Sequence, residues 1–289
     1  AYIDHHFNEF YHSQIGFFGS FECVGEFRTA EALFREAESW LRARGMRSVR
    51  GPINPVSECW GFLLEGFERP PMFLAPYYNA FLLRLGYRKV KDLLAYEADA
   101  KQGYRIPERF IRFREKLLAR RPGLRIRRAD MGNLEREAEA IWRISNEAIA
   151  GNWGYVPLDR GELVAVFRKL APIADSDAIW FIEDSGVPVG YCLGFPDING
   201  ILREIRGRLL PFGFLKLLRK KSRIQDFRLF GLAVLPSYQS LGLDVLLYLS
   251  LFEALYPRNV RLEANYVLED NVRIRNALEK LKLHQTKAV

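Results

Sequence analysis

Residues 234–244 (VLPSYQSLGLD) decide the fold, because they join a strand to a helix through a turn that contains glycine. Upstream, residues 227–235 (FRLFGLAVL) have strand composition, and downstream an apolar helical run covers residues 241–255. The first turn of a helix carries backbone amides without intrahelical partners, and its dipole favours an anion there. The turn therefore predicts a phosphate-binding loop in which Gly242 keeps side-chain bulk away from the anion.

This loop resembles the acetyl-CoA loop of the GCN5-related N-acetyltransferase (GNAT) superfamily. That signature has Gln or Arg, two residues, Gly, one residue, then Gly or Ala, and Gln239 and Gly242 match it. A strand at residues 260–266 and a helix that opens at Asn271 follow where the superfamily has them. The resemblance covers residues 124–289 and implies a complete α/β acyl-CoA N-acyltransferase fold with a mixed sheet.

The resemblance also implies a ligand, which is acetyl-CoA or another acyl-CoA. The residues that it assigns to cofactor binding are Ala233, Val234, Gln239, Ser240, Leu241, Gly242, Leu243, Asp244 and Asn271.

The first third of the chain resembles only the later part of the same fold. Residues 15–24 have strand composition, residues 29–44 are typical of an amphipathic helix, and residues 77–87 parallel the last helix of the superfamily. The loop at residues 25–28 (GEFR) lacks the phosphate signature. We expect a partial, degenerate tandem copy at 1–100, a basic helical connection at 101–123, and the acyltransferase domain at 124–289.

The last strand of that domain is expected to be truncated at Val289, which would leave a sheet edge open to self-association. The oligomeric state itself is not given by the sequence.

Three further segments resemble an uncharacterised bacterial group of GNAT-like proteins. They are NEAIAGNWGYVPL (146–158), GFPDING (194–200) and YVLEDN (266–271). The group does not identify the acceptor amine, which is a small molecule or a peptide. The first segment lies where the superfamily has its acceptor-binding loop, so Asn152, Trp153 and Tyr155 are candidate substrate residues. Aromatic side chains in such a loop can instead simply cap the core.

Two departures from the family pattern bear on catalysis. Asp244 replaces the final small residue of the loop, and a carboxylate 4 Å from a phosphate charge would repel it by about 4 kcal/mol at an effective dielectric near 20. Alternatively, Asp244 lies in the first turn of the helix, where its negative charge interacts favourably with the positive end of the helix dipole. Leu278 stands where the superfamily commonly has a tyrosine acid.

Acyl transfer to an amine needs a base and often an acid for the leaving thiolate. Glu263, on the strand after the phosphate loop, is the candidate base, directly or through water, although a salt-bridging role is equally compatible with its position. Tyr266 is the candidate acid.

Three functions remain open. The first is an acyl-CoA-dependent N-acyltransferase, and the second is a GNAT-fold binding protein that has lost catalysis, as Asp244 and Leu278 together favour. The third is a transferase that uses charged tRNA, as Fem proteins do. The excess of basic residues and the two tandem halves of the chain would allow this function.

The charge pattern indicates anionic partners, since 43 basic residues face 35 acidic ones and the net charge is +8. Residues 104–128 are strongly basic, but they hold few aromatic residues for base stacking, which disfavours nucleic acid. Residues 201–223 combine eight Arg or Lys with many apolar residues. They form either a lid that touches anionic lipid or a helical pair packed on the core.

The positions of the cysteine and histidine residues indicate the redox compartment and the absence of a metal site. Cys23, Cys59 and Cys192 are odd in number and widely spaced, which predicts reduced thiols and a cytoplasmic protein. His5, His6 and His12 match no metal-ligand spacing, so no metal is expected.

Overall fold

A computed structural model describes residues 1–54, 61–66 and 75–289. They divide into two compact units. Unit 1 comprises Ala1–Leu94, Leu268–Asp270 and Thr286–Val289, and unit 2 comprises Ala95–Val267 and Asn271–Gln285. This division differs from the one that the sequence predicted, since the basic segment 101–123 lies inside unit 2. The residue order along the chain did not reveal which segments pack together.

Unit 1 contains a three-stranded sheet within the described residues. Its helices are α1 (His5–Phe10), α2 (Phe27–Arg42) and α3 (Tyr77–Arg84), and its strands are β1 (Tyr2–Ile3), β2 (Ile15–Phe17) and β3 (Ser48–Arg50). Strand β1 runs antiparallel to β2, which runs parallel to β3. The predicted helix at 29–44 is confirmed by α2, whereas the predicted strand at 15–24 is shorter in the structure.

An aromatic cluster forms the core of unit 1. Phe18 packs edge-on against Phe34 with ring centroids 5.0 Å apart, and Phe62 and Tyr78 complete the cluster. Helix α2 contributes Phe34 because its apolar residues recur at helical spacing along one face. Residues 55–60 and 67–74, which include Cys59, lie outside the described part.

Most residues of the larger sheet belong to unit 2. The strands of this sheet are β4 (Leu93–Asp99), β5 (Leu124–Arg128), β6 (Ile179–Asp184), β7 (Val187–Pro196), β8 (Asp226–Val234), β9 (Arg261–Leu268) and β10 (His284–Ala288). The helices of unit 2 are α4 (Glu108–Arg120), α5 (Leu134–Ala148), α6 (Arg160–Leu170), α7 (Asn199–Glu204), α8 (Gly213–Lys221), α9 (Leu243–Leu255) and α10 (Val272–Lys280). Over the described residues, the strand order is β10-β4-β9-β8-β7-β6-β5.

The sheet is mixed, as the sequence predicted. Strands β5 to β8 form an antiparallel meander, whereas β8 and β9 run parallel with α9 between them in sequence. A parallel connection of this kind needs a crossover, and a helix normally supplies it. Helix α9 is apolar around most of its circumference and nearly all buried, which explains the long apolar run at 241–255.

A buried ion pair fixes α5 against the first strands of this meander. The Arg127 guanidinium donates to Glu137 of α5 at 2.7 Å and to Glu183 of β6 at 2.6 Å. Glu137 is 2% exposed and Glu183 is 6% exposed, so both carboxylates depend on this cation. The pairing sets the position of the helix that leads into the predicted acceptor loop.

The C-terminal strand corrects one expectation. A truncated last strand was predicted, but residues 284–288 form β10 at one end of the sheet order. The Ala288 carbonyl also accepts hydrogen bonds from the Leu64 and Glu65 amides at 2.8 and 3.3 Å. The Ala288 carbonyl is therefore satisfied at the end of this edge strand, whereas self-association through the edge stays a prediction.

The described residues contain no helix long and apolar enough to cross a membrane. Cys23 and Cys192 are free thiols, and Cys59 lies outside the described residues. Among the described side chains, no cluster of His, Cys, Asp or Glu is arranged to hold a metal ion.

Candidate active site

In the middle of the large sheet, the pairing of β8 with β9 ends part-way along both strands, and we call the region beyond the last pair the cleft. The two strands pair in register only from Asp226–Arg261 to Leu229–Ala264, and the ladder stops there. On the other side of β8, the register with β7 shifts between Leu193 and Gly194, so Phe230 has no partner in β7. A bulge of this kind locally bends a strand, and here it lies next to the point where the β8–β9 ladder ends.

Solvent exposure confirms that the sheet is open at this point. Phe230 is 36% exposed and its neighbours Gly231 and Leu232 are half-buried, although they lie in a central strand. The side of β8 that faces β9 therefore offers backbone groups outside the ladder from residue 230 onward. An extended ligand with amide groups can pair with such a strand edge.

The predicted phosphate loop closes one end of this cleft. A 3₁₀ turn, Pro236–Leu241, follows β8 and passes into α9 through Gly242, whose φ is +74°. Most residues with a side chain avoid this left-handed backbone, so the conformation selects glycine. A Cβ at this position would also lie 2.9 Å from the Phe113 ring of α4.

That contact corrects the physical reason given for Gly242. The space beside its Cα is filled by Phe113, so the glycine serves backbone conformation and packing against α4. Phosphate access at this loop depends instead on the free amides of the turn.

Both polar atoms of the Gln239 side-chain amide form hydrogen bonds. Its Nε2 donates to the Val234 carbonyl at 3.1 Å, and its Oε1 accepts from the Arg273 guanidinium at 2.9 Å. Arg273 is exposed on the first turn of α10, so its charge lies beside the phosphate loop. The sequence reasoning did not identify Arg273, because its role depends on α10 lying next to the turn.

The other predicted cofactor residues occupy the same strand-turn-helix unit. Ala233, Val234 and Leu243 are buried, Ser240 is exposed, and Leu241 is half-buried. Asp244 lies in the first turn of α9, where its charge suits the helix dipole. Asn271 caps α10, because its side chain accepts from the Ile274 amide at 3.2 Å.

The predicted base lies at the last rungs of the β8–β9 ladder. Glu263 is opposite Arg228, with 3.6 Å between its Oε1 and the Arg228 Nε, and both side chains are largely buried. Arg228 compensates the carboxylate charge, which was not foreseen from the sequence. Tyr266 is three residues further along β9, beyond the end of the ladder, and is half-buried.

The predicted acceptor loop follows α5 and is organised by one side chain. The Asn146 Oδ1 accepts from the Leu158 amide at 2.8 Å and from the Tyr155 hydroxyl, and its Nδ2 donates to the Leu158 carbonyl at 3.3 Å. Trp153 and Tyr155 are half-buried, and burial raises the pKa of Tyr155. The loop therefore has a defined shape despite its Gly154 at φ +74°.

Tyr191 of β7 links this helix to the bulged strand. Its hydroxyl lies 2.7 Å from the Ser145 hydroxyl of α5, and burial raises its pKa to about 12. Gly231 lies close to the Tyr191 ring, since a Cβ there would be 3.4 Å from it. The Tyr191 ring therefore packs beside the bulge of β8, and only the strand register could have revealed this arrangement.

The fold and this cleft define the class of protein. The structure superposes with a TM-score of 0.54 on a GCN5-related N-acetyltransferase from Sphaerobacter thermophilus, at 15% identity, over 91% of this chain and 67% of that one. A GCN5-related glucosamine N-acetyltransferase region of a fungal β-N-acetylglucosaminidase gives the same TM-score at 9% identity, over 89% of this chain and 26% of that one. The chain therefore has the GNAT fold, and these likenesses show the fold alone.

Two curated proteins are similar in sequence. Protein YghO of Escherichia coli is 30% identical over 294 aligned residues, which cover 97% of this chain and 74% of YghO. The bacterial ceramide synthase of Caulobacter vibrioides is 35% identical over 208 residues, which cover 70% of this chain and 53% of that protein. The match thus spans about half the length of the ceramide synthase.

The chain belongs to the same family as YghO. No family model matches it.

Proposed function

We propose that this chain is an acyl-CoA-dependent N-acyltransferase whose reaction takes place in unit 2. The observation that carries the proposal is the β8–β9 ladder, which ends at Leu229 in the strand that leads to the left-handed turn at Gly242. The pantetheine arm of CoA is extended and contains amide groups, so the open strand edge suits it. Its pyrophosphate suits the free amides and dipole at the start of α9.

Arg273 supports the same orientation of the ligand. Its guanidinium is exposed and held beside the turn by Gln239, so it can meet a phosphate group with charge-assisted hydrogen bonds. Asp244 is compatible with this arrangement because it lies inside the first helical turn.

The transfer step needs an amine nucleophile in the open part of the cleft. The amine attacks the thioester carbonyl, the C–S bond breaks, and an amide forms. We assign the proton from the amine to the Glu263 carboxylate, directly or through water, and the proton for the leaving thiolate to the Tyr266 hydroxyl. Both residues belong to β9, which forms the second wall of the cleft.

The acceptor is proposed to be an amine with an apolar chain. The relative named bacterial ceramide synthase supports this choice, since ceramide is a lipid amide. The half-buried aromatic residues Trp153 and Tyr155 offer apolar surface beside polar groups. The length of the transferred acyl group, acetyl or longer, is left to experiment.

Calorimetry with acetyl-CoA, longer acyl-CoAs and free CoA tests the binding half of the proposal. We expect the parent to bind an acyl-CoA and Gly242→Trp to lose binding, since a bulky side chain disrupts the turn. Asp244→Ala should bind more tightly, because one carboxylate near the phosphates is removed. Glu26→Ala, in the unit 1 loop without a phosphate signature, is the matched control and should bind like the parent.

Mass spectrometry of a panel of long-chain and short-chain amines, incubated with the bound acyl-CoA, tests the transfer half. Formation of an N-acylated product confirms an enzyme and ranks the acceptors. If the parent and Asp244→Ala both fail to bind every CoA species, the proposal is wrong.

A catalytically silent binding protein is the second candidate, and two contacts favour it. Phe113 lies against the phosphate loop at Gly242, and Arg228 pairs with the proposed base. Binding of acyl-CoA without turnover of any amine in the panel would select this candidate.

A further inference from the structure

The segment between β7 and β8 forms a helical hairpin, which we call the basic hairpin (residues 199–223). It consists of α7, α8 and the loop between them. Ile201 of α7, Leu217 of α8 and Ile224 are buried together, with Ile173 packed against them. The hairpin base is thus anchored to unit 2 by its own small core, as the packed-pair interpretation predicted.

The far end of the basic hairpin is apolar and exposed. Leu210 is 83% exposed and Phe212 is 75% exposed, which are high values for residues of this size. Four further apolar side chains around them are also exposed: Leu209, Phe214, Leu215 and Leu218. A contiguous apolar surface of this kind marks an interaction site more often than a free surface.

Cationic side chains surround this apolar end. Lys216 and Lys220 pair with Glu204, at 3.0 and 2.5 Å, which is the only acidic residue of residues 201–223. Arg208, Arg219 and Arg223 are exposed, and none of them forms an ion pair within the described part of the chain. Arg208 and Arg219 also line a surface groove of about 740 Å³ together with Leu210 and Phe212.

We propose that the basic hairpin docks on the surface of an anionic lipid bilayer. Leu210 and Phe212 enter the boundary between headgroups and acyl chains, while Arg208, Arg219 and Arg223 meet lipid phosphates. The combination of an apolar end with an unneutralised cationic rim matches a negatively charged interface with an apolar interior.

This inference goes beyond the acyltransferase proposal and does not depend on it. Vesicle binding is measured without any CoA or amine, so its failure would leave the proposed reaction untouched. If both hold, the bilayer is the place where a lipid amine would be met.

Vesicle flotation of the full chain tests the proposal. Vesicles of phosphatidylcholine alone are compared with vesicles that also contain phosphatidylglycerol, at low and at high salt. We expect binding to the anionic vesicles at low salt and clear weakening at high salt, because exposed charges are screened. No binding to anionic vesicles at low salt overturns the proposal, and so does equal binding to both compositions.

Matched variants separate the apolar and cationic contributions. Leu210→Ser combined with Phe212→Ser should weaken partitioning at least about tenfold, because both side chains lose apolar contact. Replacing Arg208, Arg219 and Arg223 with Gln should weaken it about fivefold per residue on anionic vesicles. Leu83→Ser, at an exposed leucine in unit 1, is the control and should bind like the parent. Unchanged binding of both hairpin variants overturns the proposal.

A spectroscopic measurement locates the contact. In Phe212→Trp, the new indole should shift its emission to shorter wavelength on anionic vesicles and be quenched by brominated acyl chains. The unshifted emission of a vesicle-bound Phe212→Trp protein would place the contact elsewhere and refute the docking mode.

Discussion

Gly242 shows how one residue can serve several constraints at once. It ends the 3₁₀ turn, opens α9 at φ +74°, and lies against Phe113. The sequence motif indicated this glycine as a cofactor-binding residue, but it gave no sign of the neighbouring ring. The contact exists only because α4 packs beside α9.

Gly242→Ala should therefore destabilise the fold. The left-handed backbone alone costs an alanine about 1–2 kcal/mol, and the 2.9 Å approach to Phe113 adds strain. Urea unfolding measures the loss. In a Phe113→Ala background the same substitution should cost less, because the clash is removed and the backbone penalty remains. Equal losses in the two backgrounds would contradict the proposed contact.

The ion pair between Arg228 and Glu263 provides a second prediction at the scale of single residues. Arg228→Met should lower the free energy of unfolding by about 3 kcal/mol, because it leaves a largely buried carboxylate without this cation. The double variant Arg228→Met/Glu263→Gln should recover part of the loss, as denaturant unfolding would show.

Glu263→Gln distinguishes a base from a structural carboxylate. A base role predicts a fall in turnover of about a hundredfold or more with acyl-CoA affinity retained. Normal turnover combined with lower stability would assign the residue to structure alone.

At the scale of the elements, the conformation of the predicted acceptor loop depends on a single side chain. Asn146 makes hydrogen bonds to Leu158 and Tyr155, which close the loop after α5. Asn146→Ala should raise the KM for the amine several-fold and leave acyl-CoA affinity unchanged, because the phosphate loop belongs to a different element. Steady-state kinetics and calorimetry on the same protein check both parts. Weakened acyl-CoA binding would show that the two regions are coupled.

The helices and strands of unit 2 were largely predictable, and packing explains why. The pattern of residues 134–150 predicts a helix, and α5 spans Leu134–Ala148. Residues 178–183 and 189–195 predict a hairpin, which β6 and β7 form. These elements have strong periodic patterns that match the side on which each is buried. The bulge at Phe230 and the short β8–β9 ladder have no comparable local signal, because strand register decides them.

At the scale of the whole molecule, buried tyrosines make stability depend on high pH. Burial raises the pKa of Tyr104 and of Tyr191 to about 12, from an ordinary value of 10.0. A raised folded-state pKa contributes stability that is fully present below pH 10 and is lost as pH rises toward 12. Between these values the unfolded chain releases protons that the folded chain keeps.

The free energy of unfolding should therefore fall by up to about 1.4 kcal/mol per pH unit for each of these tyrosines over that interval. Urea unfolding at several alkaline pH values measures the slope. Tyr191→Phe should flatten it, because this substitution removes one of the two hydroxyls with a raised pKa. A slope unaffected by Tyr191→Phe would contradict the assignment.

The sequence by itself determined the fold class, the strand-turn-helix unit at Gly242 and the extent of most elements in unit 2. These depend on local features, namely the glycine turn, the N-cap at Asn271 and hydrophobic periodicity, which act over a few neighbouring residues. The tertiary structure alone decided the pairing of Arg228 with Glu263, the approach of Phe113 to Gly242, and the inclusion of residues 286–289 in unit 1. Each of these joins residues far apart in sequence, so register and packing fix it and no local pattern encodes it.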